Sequence, residues 1–414
     1  MQVALGQDIS NNTATEILSL QRYREEVVEY SLTLKSAAVT IESKDATVTY
    51  KKVARLPQLL ATGSYMQGFR KFEGFKSWTL YVEPKIIQTI YNGGVTKADI
   101  RQAELNYDIA LCDGEYSTLE VLYTADYTYW NLWSLTRYYK AMLQYIELIR
   151  KEFNVIEMRY NEGYIAKGDL LMIASRLSEA EFELISAEQS MLVARYNLNI
   201  LRGIKPDSAV ELATESSLPT STLNRIPTDE VLDQRPDYRA MLLNEQVAAE
   251  ATKATRGAYN PKLYGGVAGT WRTFVLNTDG RTYLDGYAFV EFSMPIFHFS
   301  ERKKAVAISR ATERQSAINR EILHDAIISE ESSAWTKLIE SKAQMSNAAH
   351  SLDIASENLN ISTYAYNEGE VSIVELMQAQ ISWIQIYTNA IDSQYNYNIA
   401  LAGYRLAIGS KNNE

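Results

Sequence analysis

The tetrapeptide Tyr160-Asn161-Glu162-Gly163 returns as Tyr366-Asn367-Glu368-Gly369, at an offset of 206 residues. The same offset holds on both sides of this motif, where it relates Ile90 to Ile296, Ile165 to Val371, Asp169 to Glu375, Leu170 to Leu376 and Gly203 to Gly409. One offset that persists over so long a stretch is not a chance match. The chain is therefore predicted to contain two tandem structural repeats.

The residues after each tetrapeptide follow a heptad pattern. From Leu170 to Leu201 apolar residues are spaced alternately three and four apart, and the spacing returns from Leu376 to Ala407, where Ser393 is the one polar member. A sustained period of about 3.5 residues is typical of a coiled coil. Long antiparallel coiled-coil helices are predicted, with each tetrapeptide at the turn between two of them.

Two other stretches have the period of a β-strand. Apolar and polar residues alternate from Trp78 to Ile86 and again from Tyr287 to Ile296. Each stretch has a partner upstream, which predicts two β-hairpins, at about 58–92 and about 262–297. The fold class is therefore mostly α with a small β part and four strands per chain. Pro84 inside a strand predicts a bulge or a local irregularity.

These patterns divide the chain into four parts. They are a first repeat (1–203), an irregular equatorial insertion with several prolines (204–236), a second repeat (237–409) and a tail (410–414). Each repeat is expected to contain a helix, a hairpin and a helical tunnel hairpin. The first helix is expected from about Ser19 to Ala54, and the tunnel hairpins are expected at about 95–203 and about 301–409.

The composition argues against several classes of protein. The 414 residues include 41 basic and 51 acidic ones, so the net charge is −10, whereas nucleic-acid-binding proteins are normally basic. The single cysteine, Cys112, excludes a disulfide framework and a thiolate metal cluster. No apolar run reaches the roughly 18 residues of a membrane-spanning helix. Met1–Ala4 lacks the basic start and the long apolar stretch of a signal peptide, so the chain is expected to be either cytosolic or a mature, processed form.

The chain also shows no motif of catalysis. A nucleophile elbow, a phosphate-binding loop, a dinucleotide fingerprint and a zinc-protease motif are all missing from the sequence. His298, His324 and His350 are 26 residues apart, which is not a local spacing of metal ligands. The chain is therefore expected not to be an enzyme, and neither a cofactor nor a metal is predicted.

Four strands alone form an open sheet, whose edges would be left without partners in lipid. Three copies of the chain would supply twelve strands, an even number within the range of known membrane barrels. The apolar side of the strands would then face lipid, and six residues are assigned to it: Trp78, Leu80, Val82, Trp271, Val290 and Phe292. A soluble sandwich with ordinary alternation is the competing interpretation of the same pattern.

The order of the motifs resembles the TolC-like outer-membrane efflux family of trimeric channel-tunnels. Arg55–Leu59 resembles the family's entry from helix to strand, Gln88–Gly94 its strand exit, and Gln234–Ala240 its Arg-Pro-Asp element. The two tetrapeptides resemble its helix–turn–helix tips. The second repeat departs from the family at the strand exit, where Phe299-Ser300 replaces the paired glycines.

The resemblance implies a homotrimer whose 12-stranded barrel lies in outer-membrane lipid, with a helical tunnel that projects into the periplasm. Such a channel is the passive exit duct of a tripartite efflux or type I secretion system. Its partners are an inner-membrane transporter and a periplasmic adaptor, or membrane-fusion protein, which docks on the tips: Gly163, Tyr164, Ile165, Gly369, Glu370 and Val371. The alternative is a soluble periplasmic coiled-coil structural or adaptor protein.

The resemblance also implies a gate near the tips. The family's constriction places an acid at Glu375 and a second acid at the position of Gln378, so one acidic ring is missing here. A tie between Tyr366 and Asp169 is also implied, while the Arg of a second tie falls on Val371. The competing interpretation is that Glu375 and Asp169 are solvated acids at helix N-termini, where the helix dipole favours them.

Overall fold

The computed structural model describes residues 16–69, 73, 77–213, 224–273, 282–297 and 299–410. Its helices are α1 (Leu20–Tyr30), α2 (Leu32–Val53), α3 (Val95–Asn161), α4 (Lys167–Leu201), α5 (Thr228–Gln234), α6 (Pro236–Gly257), α7 (Glu301–Asn367) and α8 (Ile373–Ala407). Its strands are β1 (Glu16–Leu18), β2 (Gln58–Gln67), β3 (Trp78–Asn92), β4 (Val210–Leu212), β5 (Lys262–Arg272) and β6 (Tyr283–Ser293). The predicted fold class, mostly helical with a small sheet, is confirmed.

The two structural repeats are also confirmed, because the long helices coincide at the offset found in the sequence. Helices α3 and α7 both have 67 residues, and α4 and α8 both have 35. The first residues of α3 and α7 are 206 apart, as are the first residues of α4 and α8. Each repeat thus has one long helix, a tight turn and one shorter helix.

The backbone turn before each long helix is retained even where the glycines are not. Gly93 and Gly94 have φ of 73° and 90°, and their counterparts Phe299 and Ser300 have φ of 36° and 67°. Positive φ costs a residue with a side chain roughly 1–2 kcal/mol. The departure from the family motif in the second repeat therefore changes the residues and leaves the left-handed turn in place.

The expected continuous helix from about Ser19 to Ala54 is wrong, because the structure has two helices there. Ser31 separates α1 from α2, and its ψ of 117° is not helical. Its N–H still donates to the Val27 carbonyl at 2.8 Å, and its hydroxyl accepts from the N–H of Leu34 at 3.3 Å. Serine favours such a position because its side chain caps the next helix. The insertion is more regular than expected, since it contains β4, which pairs in parallel with β1, and α5.

The two predicted hairpins form one four-stranded sheet in the order β2-β3-β5-β6, with every neighbouring pair antiparallel. Pro84 does not shift the register, because Val82 lies opposite Trp271 and Lys85 opposite Ala268 at an unchanged offset. The register shift lies instead between Thr89 and Tyr91. Proline removes one N–H donor, whereas a bulge requires an extra residue on one strand.

The chain divides into two compact units, and each draws segments from both repeats. Unit 1 comprises 1–35, 116–235 and 326–414, and unit 2 comprises 36–115 and 236–325. The sheet β2-β3-β5-β6 lies in unit 2. The main hydrophobic cluster lies in unit 1, and its fully buried members include Tyr23, Tyr129, Met142, Ile149, Ile156, Ile173 and Leu198. The compact units therefore do not coincide with the tandem repeats, and the four-part division at 203, 236 and 409 remains a prediction from the sequence.

The Arg-Pro-Asp element opens α6, as the resemblance implies, and it also anchors the end of α8. The guanidinium of Arg235 is buried, and its Nη1 donates to Glu330 Oε2 at 2.6 Å and to the Ala407 carbonyl at 2.9 Å. A cation that binds the last carbonyls of a helix stabilises its C-terminus.

Candidate functional site

The two predicted tips are matched turns of the same type. Gly163 and Gly369 have φ of 83° and 80°, and a Cβ on either would meet nothing within 4 Å. At the first tip the N–H of Tyr164 donates to the Arg159 carbonyl at 2.9 Å, and at the second the N–H of Glu370 donates to the Ala365 carbonyl at 2.8 Å. This is the Schellman arrangement that ends a helix at a glycine. Each tip thus reverses the chain between two long helices.

Four of the six tip residues assigned from the sequence are exposed. Tyr164 is 78% exposed, and Gly163, Gly369 and Glu370 are exposed as well. The other two assigned tip residues, Ile165 and Val371, are half-buried and pack against the core of unit 1. Tyr164 is therefore the large apolar side chain that the first tip presents to solvent.

The two returning helices begin differently. Ser372 caps α8 in a capping box, where its hydroxyl accepts from the Glu375 N–H at 3.3 Å and its own N–H donates to Glu375 Oε2 at 3.1 Å. The matching residue in α4 is Ala166, whose side chain makes no cap. The carboxylate of Glu375 is exposed but engaged by its own helix start, and Gln378 is exposed one turn later.

Tyr366 is buried in the last turn of α7. The guanidinium carbon of Arg159 lies 5.5 Å from the centre of its ring. Burial raises the pKa of Tyr366; Arg159 opposes this shift, whereas Glu152 and Asp169 add to it. Glu152 is itself buried, and burial raises the pKa of its carboxyl group against the influence of Arg159. Sequence analysis did not identify Arg159, because a basic residue is common in the last turn of a helix and nothing in the sequence relates Arg159 to Tyr366.

The strand register places all six residues predicted to face lipid on one face of the sheet. Residues directly opposite share a face, as do alternate residues of a strand. Val82 lies opposite Trp271, and Trp271 opposite Leu284. Trp78 and Leu80 share this face with Val82 on β3, and Val290 and Phe292 share it with Leu284 on β6. We call this the apolar sheet face; it also holds Leu59, Tyr65, Ile86 and Val267.

The opposite face of the sheet is polar. Tyr81 donates its hydroxyl to Glu83, Lys85 Nζ lies 3.7 Å from the Glu83 carboxylate, and the Tyr287 hydroxyl lies 3.4 Å from it. The apolar sheet face is largely open, with exposed fractions of 74% for Val290 and 65% for Phe292. Patches of this kind on proteins mark contact with a membrane or with another protein.

A second apolar stripe runs along α4 on the side away from its buried heptad. We call it the outer stripe of α4. All of its members are exposed: Leu171, Ser175, Ser178, Phe182, Ile185, Gln189, Val193, Tyr196 and Ile200. Sequence reasoning missed it because the stronger heptad of the buried face masks it and three of its positions are polar.

The matching stripe of α8 is covered within the chain. Its members lie 206 residues further on, and each is buried or half-buried: Met377, Ile381, Ile384, Thr388, Ile391, Tyr395, Ile399, Ala402 and Leu406. Part of the cover is α3, since the rings of Tyr127 and Tyr395 are 6.3 Å apart. Between α7 and α3 the difference is reversed: here the exposed positions lie in the second repeat, and their counterparts 206 residues earlier are covered. Ile339, Ile354 and Ile361 are exposed, whereas their counterparts Trp133, Leu148 and Val155 are not.

The described ranges contain little else that suggests a site. None of their helices has a stretch long and apolar enough to cross a lipid bilayer. In the same ranges, no three His, Cys, Asp or Glu side chains are grouped so that they could hold a metal ion. His324 and His350 lie far apart on α7, and His298 lies outside the described residues. Cys112 is buried in α3, where burial raises the pKa of its thiol.

Comparison with known proteins agrees with this geometry. The model of the outer membrane efflux protein family matches residues 24–203 and 228–410. The nodulation protein T of Rhizobium leguminosarum bv. trifolii is 22% identical over 412 residues, which cover 94% of this chain and 85% of that protein.

Solved structures share the fold. The outer membrane protein VceC of Vibrio cholerae superimposes with a TM-score of 0.79 at 17% identity, over 94% of this chain and 96% of its own. The CmeC outer membrane channel of Campylobacter jejuni gives a TM-score of 0.80 at 18% identity, over 94% of this chain and 85% of its own.

Proposed function

Because this chain belongs to the outer membrane efflux protein family, we propose that three copies assemble into an outer-membrane channel-tunnel, the passive exit duct of a tripartite efflux or type I secretion system. The single observation that carries this proposal is the apolar sheet face. Six residues chosen from the sequence for contact with lipid fall on one face, and the charged residues Glu83 and Lys85 lie on the other.

The lengths and edges of the strands support a membrane position. Strands β2, β5 and β6 have 10, 11 and 11 residues, and β3, with 15, extends beyond its pairing with β2. A tilted transmembrane strand needs about 9–11 residues. The outer edges of the sheet are β2 and β6. An unpaired edge is not tolerated in lipid, so β6 of one copy would pair with β2 of the next until twelve strands close the ring.

The difference in exposure between the matching stripes of α4 and α8 supports assembly with further copies of the chain. Within one copy, the outer stripe of α8 is covered in part by α3. The repeat relates α8 to α4 and α3 to α7, so the equivalent contact would join the outer stripe of α4 to α7. Both surfaces are exposed in the single chain. We place α7 of a neighbouring copy on the outer stripe of α4, a head-to-tail contact that can close a ring.

The helical tips are the proposed docking surface for the periplasmic adaptor, and the acids behind them form the proposed gate. In a trimer Glu375 would recur three times around the axis, next to Gln378. Like charges held close together favour bound cations. The capping box would position each Glu375 carboxylate, and Tyr366, Asp169 and Arg159 would hold the two tips together behind it. A soluble periplasmic adaptor, the alternative, would leave the apolar sheet face in water.

The docking proposal is tested at Tyr164. Replacing Tyr164 with Asp is expected to reduce dye extrusion to roughly the level of cells without the channel, because a charge replaces the apolar contact at the tip. Extrusion is measured in cells that also carry the cognate adaptor and transporter. Since Tyr164 is 78% exposed, assembly of the protein should not change.

The conservative substitution Tyr164→Phe serves as the matched control. It keeps the ring and should retain extrusion close to that of the unchanged protein. Extrusion that is normal in Tyr164→Asp, with the protein assembled, would show that the adaptor does not use this tip.

A further inference from the structure

A cavity of about 460 Å³ in unit 1 has no part in the duct proposed above. It lies where α3, α4 and β4 approach one another. Its apolar wall consists of Leu132, Trp133, Met191, Val210 and Leu212. Cavities that bind small molecules usually measure about 300–1,000 Å³ and have mostly apolar walls with a few polar groups.

The polar groups of this cavity are mainly cationic. Arg137, Lys140 and Arg195 line it, and Glu211 supplies one carboxylate. Within the part of the chain that the structure describes, none of the three cations makes an ion pair with a carboxylate. The guanidinium group remains charged at any physiological pH. The cavity therefore carries more positive than negative charge.

The guanidinium carbon of Arg195 lies 6.0 Å from the centre of the Tyr196 ring. The Nε of Arg195 is buried, and no acceptor among the described residues takes its hydrogen. A buried donor without an acceptor is uncommon, because the group has lost its water and gained nothing in return. Arg137 is held in place beside the apolar wall, with its guanidinium carbon 5.4 Å from the ring of Trp133.

We propose that this cavity binds a small amphipathic carboxylate, such as an aromatic or medium-chain organic acid. The carboxylate would lie among the guanidinium groups of Arg195 and Arg137 and the ammonium group of Lys140, because a planar guanidinium matches a carboxylate. The apolar body would lie against Trp133, Met191 and Leu212. Inorganic phosphate would satisfy the cations but would leave the apolar wall unused.

The test is equilibrium dialysis of 2-naphthoate against the full-length protein in lipid nanodiscs, with empty nanodiscs as the blank. We expect saturable binding, and binding of the neutral 2-naphthamide that is weaker by about tenfold or more. Arg195→Gln should weaken naphthoate binding by a similar factor. Arg137→Gln should also weaken naphthoate binding, and this second variant separates the loss of a cation from a folding defect in Arg195→Gln.

Arg150→Gln is the control, because Arg150 lies outside the cavity and pairs with Glu181 at 2.7 Å on the surface. It should bind naphthoate like the unchanged protein. The proposal is overturned if naphthoate does not saturate, if both cavity variants bind normally, or if inorganic phosphate binds as tightly as naphthoate.

Discussion

Replacing Ile185 with Asp is expected to prevent the protein from assembling beyond the single chain. Ile185, in the outer stripe of α4, has 60% of its surface exposed. Its counterpart in the second repeat is Ile391 on α8, which is only 5% exposed because the rest of the chain covers it. In the proposed trimer, α7 of the next copy covers Ile185 as the chain covers Ile391. Loss of the buried isoleucine costs about 1.5–3 kcal/mol at each interface. Burial of an unpaired carboxylate adds to that cost.

The measurement is the mass of the detergent-solubilised protein by sedimentation or light scattering. Ser190→Asp is the matched control, because it adds the same charge to an exposed position of α4 beside the outer stripe. The control should remain trimeric, whereas Ile185→Asp should not. Equal trimer content in the two variants would mean that the outer stripe of α4 is not an interface.

Replacing Val82 with Arg is expected to block insertion into the membrane. Val82 lies on the apolar sheet face, opposite Gly63 near the middle of β2 and opposite Trp271 of β5. An arginine on the lipid side of a barrel costs about 2–4 kcal/mol near the midplane. Three copies of the chain would each bear this cost, so folded protein should be nearly absent from the membrane fraction.

Tyr81→Arg is the matched control, because it places the same charge in the same strand but on the opposite face of the sheet. Tyr81 is the neighbouring residue of β3, and its side chain lies on the polar face, where it donates to Glu83. An arginine there gains a carboxylate partner instead of meeting lipid, so insertion should be normal. If Val82→Arg and Tyr81→Arg insert equally well, the assigned lipid face is wrong.

The parts of the fold that sequence reasoning found are those with a strict period. The repeat at Tyr160 and Tyr366, the heptad from Leu170 to Leu201 and the alternation from Trp78 to Ile86 each extend over many residues, so chance polar substitutions do not hide them. The six residues that share one face of the sheet could be chosen because alternation alone assigns side chains to faces.

The parts that it missed depend on single residues or on contacts distant in sequence. Ser31 ends α1 through its own backbone angles, and the three-residue strands β1 and β4 are too short to show a period. Nothing local to Arg159 indicates that it lies over the ring of Tyr366. The half-buried position of Ile165 depends on how the core of unit 1 packs.

The outer stripes show a further limit of periodic patterns. The pattern of α4 is compatible with two apolar faces, and the sequence does not tell which one the chain covers itself. The structure makes that distinction, because Ile185 is exposed and its counterpart Ile391 is covered within the same chain. An internal repeat thus singles out an exposed apolar surface that neither copy identifies alone.

The most direct test of the duct is the ionic current that the purified protein carries across a planar lipid bilayer. The account predicts discrete conductance steps from the trimer, and no steps from Ile185→Asp or Val82→Arg. A protein that inserts into the bilayer as a trimer and yet carries no current would contradict the account.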